Sequence, residues 1–140
     1  MVEFALVIGL FVMVLYGLIA YGLALSLKQN MTHAAAEGAR AAIGAVPNVG
    51  ETQQDAEKRV AKQTVDRAMS SYSQYSSTMT DAQVGNSQCN PNPPSATAQC
   101  ITVTITYPYS SKPIVPNAPG LGVVIPDTMK AKATVVLSDS

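Results

Sequence analysis

Residues 3–27 read EFALVIGLFVMVLYGLIAYGLALSL, and this stretch decides the architecture. From Phe4 to Leu27 it carries no charged residue; Glu3 stands just ahead of it, and the first lysine or arginine is Lys28. As a helix rising about 1.5 Å per residue, the run is roughly 36 Å long, enough to cross a hydrocarbon core of about 30 Å. A cleaved secretory signal has a basic leader region, a shorter apolar core and a small-residue cleavage site. Here Leu27-Lys28-Gln29-Asn30 follows instead, so the segment reads as retained.

The helix has no reason to stop at Leu27. No proline precedes Pro47, and Ala34 to Ala45 is dominated by alanine, so one rod of about 65 Å is expected over residues 3–46. Its second half, from Thr32 to Ala42, is built of small residues that let other backbones come close, with Glu37 and Arg40 at the i,i+3 spacing of an ion pair. Gly44, Pro47 and Gly50 punctuate its end. The chain is therefore expected to divide into a hydrophobic helix over residues 1–46 and a single head over residues 47–140.

Thr52-Gln53-Gln54-Asp55 has the form of a helix start, and Ala56, Val60, Val65, Ala68, Met69 and Tyr72 recur near helical spacing. Glu57, Lys58, Arg59, Lys62, Asp66 and Arg67 mix both signs, which describes a solvated face. Beyond residue 78 the period becomes two. Ile101, Val103, Ile105 and Tyr107 alternate with threonines, and Met129, Ala131, Ala133, Val135 and Leu137 alternate with Lys130, Lys132 and Thr134. A weaker strand is expected from Thr80 to Val84. The proline-rich stretch from Pro108 to Pro126 is a loop, because each proline removes a ladder donor. The fold class is α+β: a long N-terminal helix, a second amphipathic helix and a small antiparallel sheet.

Cys89 and Cys100 bracket Asn90-Pro91-Asn92-Pro93-Pro94, a turn-rich segment. Zinc takes about four ligands, commonly in closely spaced pairs, and none are visible, so a disulfide is the expected pairing. That places the head in an oxidising compartment. The basic residues Lys28, His33 and Arg40 would by themselves hold the C-terminal part in the cytoplasm. Both signals agree if a basic leader once preceded residue 1. With a net charge of +0 and no tryptophan, nothing favours a nucleic-acid partner. His33 is the sole histidine, Gly120-Leu121-Gly122 does not link a strand to a helix, and no cofactor, metal or catalytic set is read. The expectation is that the chain is no enzyme.

Ala5/Gly9, Ala20/Ala24 and Gly22/Ser26 are small-xxx-small pairs, suited to close helix approach in lipid. Phe4, Phe11, Tyr16 and Tyr21 do not form one helical stripe and read as anchors or apolar filling.

Val2-Glu3-Phe4-Ala5-Leu6-Val7 leading an apolar helix, followed by Ala34-Ala35-Ala36-Glu37-Gly38-Ala39-Arg40-Ala41-Ala42, resembles the TadE-like family of minor pilins or pseudopilins of the tight-adherence branch of type IV pilus systems. Val103-Thr104-Ile105-Thr106-Tyr107-Pro108 and Lys132-Ala133-Thr134-Val135-Val136 resemble the family's distal strands more loosely. In the family the glutamate commonly lies fifth after the cleavage point, whereas Glu3 is third. The resemblance implies a pilin-like fold and a structural subunit that polymerises through its N-terminal helix into a surface pilus for attachment. It implies copies of itself or other pilins as partners, residence in the bacterial inner membrane before assembly, and removal of any leader by a prepilin peptidase. Glu3 would pair with the N-terminal ammonium of a neighbouring subunit. The expected assembly residues are Glu3, Phe4, Ala5, Gly9, Gly17, Ala20, Gly22 and Ala24. The alternative is a bitopic membrane protein with a periplasmic scaffold or binding domain in a pilus or secretion machine, distinguished by its absence from sheared surface material.

Overall fold

A computed structural model describes residues 2–71, 80–85, 89, 98–111, 113 and 126–139. Five elements follow in chain order: α1 (Val2–Ile43), α2 (Gln53–Ala68), β1 (Thr80–Gly85), β2 (Ala98–Tyr107) and β3 (Met129–Asp139). The strands form one antiparallel sheet in the order β1-β2-β3. The α+β class and the three strands agree with the sequence. Tyr72, the segment between Cys89 and Ala98, and residues 114–125 of the expected loop lie outside the described residues.

The first helix is unbroken over 42 residues. It ends at Ile43, short of the expected residue 46, because Pro47 disfavours helical geometry at the residue before it. The last turn tightens: the Gly44 and Ala45 N–H groups donate to Ala41 and Ala42 at 3.3 and 3.1 Å. The chain then reverses through Asn48–Glu51, where the Glu51 N–H donates to the Asn48 carbonyl at 3.0 Å and Gly50 takes φ +83°, a value that side chains resist. Thr52 caps α2, its hydroxyl oxygen accepting from the Asp55 N–H at 3.2 Å.

A side-chain clasp fixes this corner. Arg59 Nε donates to Glu51 at 3.0 Å, one Arg59 Nη donates to Glu51 at 3.1 Å and to the Val46 carbonyl at 3.2 Å, and Gln53 donates to the Ala45 carbonyl at 3.0 Å. Two orphan carbonyls just past the end of α1 thus find donors on the second helix. By contrast, Glu37 and Arg40 are both exposed and make no ion pair; the spacing permits one, but two solvated side chains gain little from being held together.

The two helices pack back to back through Gly38. A Cβ added there would meet Val65 Cγ2 at 2.7 Å and the Ala61 carbonyl oxygen at 3.0 Å. Ala34, Ala35, Ala39 and Ala42 are buried around it. The inner face of α2 is consequently Ala56, Glu57, Ala61, Val65 and Met69, while Val60 is half-buried and Ala68 exposed, contrary to the pattern expected from apolar residues alone. Glu57 leaves the expected solvated face and is only 7% exposed. One of its oxygens accepts from Gln53 at 3.1 Å; the other has no hydrogen-bond partner among the described residues.

The sheet lays Ile101, Val103, Ile105 and Tyr107 of β2, with Met129 and Ala131 of β3 and Ala82 of β1, into one core with Leu27, Met31 and the alanines of α1. Each buried valine or isoleucine contributes about 1.5–3 kcal/mol. Thr102 and Thr134 face the other way and share a hydroxyl hydrogen bond of 2.8 Å across the strands. Between Gln99 and Cys100 the β2–β3 register shifts, leaving Leu137 as the extra residue of a bulge.

Gly38→Ala gains about 1 kcal/mol of helix propensity but forces a clash whose cost is about 1–3 kcal/mol. The expected outcome is a lower melting temperature of the detergent-solubilised chain by circular dichroism. Gly22→Ala, which meets nothing within 4 Å, is expected not to destabilise, and Val65→Ala combined with Gly38→Ala is expected to recover part of the loss.

The Arg59 guanidinium, with the Asn48 N–H, holds the Glu51 carboxyl below its ordinary value. A group depressed in the folded state contributes stability above the ordinary carboxylate pKa of about 4.3 and loses it as pH falls through the folded-state value. Glu51→Gln is therefore expected to shrink the fall in melting temperature between about pH 6 and about pH 3.

Candidate assembly surface

The N-terminal half of α1 is uncovered. Every side chain from Glu3 to Leu15 is exposed, Phe4 at 73%, and Ala20 is the first to be fully buried. The helix is thus exposed for about 20 Å over residues 3–15, before Tyr16 and Gly17 become half-buried. The most apolar part of this helix has a mean hydropathy of 2.5 and is only 6% buried, which separates it from the core helix of a soluble protein. Between Phe4 and Ile19 twelve large apolar side chains are exposed. At roughly 1.5–3 kcal/mol each, leaving them in water costs tens of kcal/mol, more than the about 5–15 kcal/mol that holds a domain folded. This surface belongs in lipid or against other apolar helices.

At 3.6 residues per turn, Ala5, Gly9, Gly17, Ala20 and Ala24 fall within about a third of the helix circumference. Gly38, Leu27, Met31 and Ala42, which face the head, lie in the same sector. The sector of α1 that faces the head thus continues upward through Ala5, Gly9 and Gly17, with Leu6, Met13 and Tyr16 among them. Its lower part is occupied by the chain's own α2 and sheet; its upper part is open. Gly9 and Gly17 have nothing within 4 Å of an added Cβ. Ala20 and Ala24 belong to the closed part, 0% and 7% exposed within the subunit. Phe4 and Gly22 project from the opposite side of the helix, so the eight expected residues do not make one patch. Glu3, in the first turn, is exposed where a negative charge complements the helix dipole.

Gly38 was legible only as one small residue among many. Its specific role is to seat α2, and the signal was its position as the single glycine inside an alanine block.

Cys89 and Cys100 form a disulfide, with Cα atoms 5.3 Å apart. With Ala98 they make a separate buried cluster. Among the described residues, no three His, Cys, Asp or Glu side chains gather as metal ligands would.

These features define a membrane-competent helix carrying a small disulfide-bonded α+β head. Residues 1–40 match the family model described as TadE-like protein, so the resemblance read from the Glu-Phe start and the alanine-glycine block holds over that segment. The match ends two residues past Gly38 and spans both the free half of α1 and the helix crossing. No curated protein and no solved structure matches the chain.

The disulfide closes a short loop, and Cys100→Ser is expected to lower unfolding free energy in urea by about 3 kcal/mol. Intact mass without reduction is expected to be lighter by two hydrogen atoms than after reduction; thiols that alkylate without a reductant would count against the bridge.

Proposed function

We propose that the chain, whose TadE-like N-terminus fits a component of a Tad pilus-related system, is a structural subunit whose α1 helices bundle into the core of a type IV-like pilus while the heads face water, serving attachment and having no catalytic role. The observation that supports it most is the open half of α1, apolar all round, with Ala5, Gly9 and Gly17 continuing the face that the head occupies lower down. Before assembly the same helix resides in the bacterial inner membrane with the head outside the cytoplasm, where the disulfide is stable. Its partners are further copies or other pilins, and prepilin peptidase where a leader is removed. A contact made head to tail without closing yields a filament rather than a ring.

Ala20→Leu would perturb the subunit's own packing, so the interface is tested at Gly9. Gly9→Leu is expected to reduce the chain's abundance in sheared surface material severalfold, read by quantitative mass spectrometry, with the head's thermal unfolding unchanged. Wild-type chain that stays wholly in the membrane fraction is the result a bitopic scaffold would give.

A further inference from the structure

The open half of α1 carries one charge. From Val2 to Leu27 the only Asp, Glu, Lys, Arg or His is Glu3, and Phe4 beside it is exposed. A bundle of apolar helices that covers this half must also answer a carboxylate, because a charge taken out of water without a partner is costly. The converse arrangement stands where the head meets α1. Tyr21, Ala24 and Leu25 line a cleft of about 250 Å³ with Pro126 and Met129, and Lys28 stands among them. Lys28 Nζ donates to the Lys130 carbonyl, which holds the ammonium beside the cleft; an ammonium has three donors, so two remain. No Asp or Glu is among the described residues that line it. The cleft is thus apolar with one exposed cation, and Glu3-Phe4 is one large apolar side chain next to one anion. The chain's own Phe4 cannot enter: it lies about 30 Å away along the same unbroken helix.

We infer that in the filament this cleft takes Glu3 and Phe4 of a second copy, the Phe4 ring entering between Tyr21, Leu25 and Met129 and the Glu3 carboxylate meeting the Lys28 ammonium. The assignment rests on the reading that α1 helices bundle, and it gives Glu3 a partner on a neighbour's helix in place of an N-terminal ammonium. It sets the axial step between the two copies at about 30 Å, the rise from the level of Glu3 and Phe4 to that of Tyr21–Lys28. The contact is head to tail. The entering copy keeps its own cleft free for a third, so the contact propagates without closing.

The full chain carrying Phe4→Cys and Thr128→Cys, with Cys89 and Cys100 retained, is co-expressed with wild type so that filaments still form. Thr128 is an exposed residue of the cleft lining. Sheared filaments are oxidised, and the expected product is a linked dimer whose peptides join the two introduced cysteines, read by mass spectrometry without reduction. Phe11→Cys with Thr128→Cys is expected to stay unlinked, since about 10 Å of helix separates Phe11 from Phe4. In the otherwise unaltered chain, Glu3→Lys and Lys28→Glu are each expected to lower abundance in sheared material by about tenfold, and the double exchange to recover most of it. Filaments of normal yield without the link, equal linking from Phe11→Cys, or a double exchange no better than Glu3→Lys alone would each overturn the docking and leave the filament reading standing. The last of these is the result that pairing of Glu3 with an N-terminal ammonium gives. Wild-type chain absent from sheared material overturns the filament reading and the docking with it.

Discussion

An apolar helix exposed for about 20 Å has no stable place in water, and this constrains everything else in the molecule. Among the described residues, the sheet and α2 bury this helix fully only from Ala20 onward. The uncovered length must therefore lie in an apolar environment, whether lipid or other helices. Transfer from lipid to a bundle of like helices gains little from hydrophobicity, since lipid tails are as apolar as leucine, so packing has to decide it. Small residues then matter more than large ones on this half of the helix.

The same device operates lower down in a different solvent. At Gly38 the absence of a side chain lets Val65 and the Ala61 carbonyl come within reach of the α1 backbone, and alanines on the flanking turns widen the contact. The gain here is burial in water as well as dispersion, because Val65, Met31 and the inner face of β2 close over one continuous core. The TadE-like match over residues 1–40 thus covers two physical tasks on one helix: an open apolar surface, and the seat of the head.

What fixes the head's orientation is the corner between the helices. Glu51, Arg59 and Gln53 tie the carbonyls of Val46 and Ala45 to the start of α2, while Gly50 permits the turn. The sheet is then carried on both helices, with β1 against α2 and β3 against α1. At its far end the Cys89–Cys100 bridge and Ala98 cover the opposite face of the sheet.

The long helix, the alternating strands β2 and β3, the weaker β1 and the cysteine pair were all legible in the residues, because each depends on local periodicity, on the absence of proline, or on a pair with no competing ligand. The helix end was placed three residues late because the effect of Pro47 reaches backward to Val46, where composition gives no sign of it. Other features waited for the fold. The burial of Glu57 and the exposure of Ala68 follow from which face of α2 meets Gly38, and an alanine-rich helix offers several faces of similar chemistry. For the same reason Ala20 and Ala24, indistinguishable in sequence from Ala5 and Gly9, turn inward to the subunit while the others stay open. Sequence by itself determined that this helix must be covered along its whole length; only the tertiary structure decided which part its own head covers, because that depends on how far down the rod the sheet can reach.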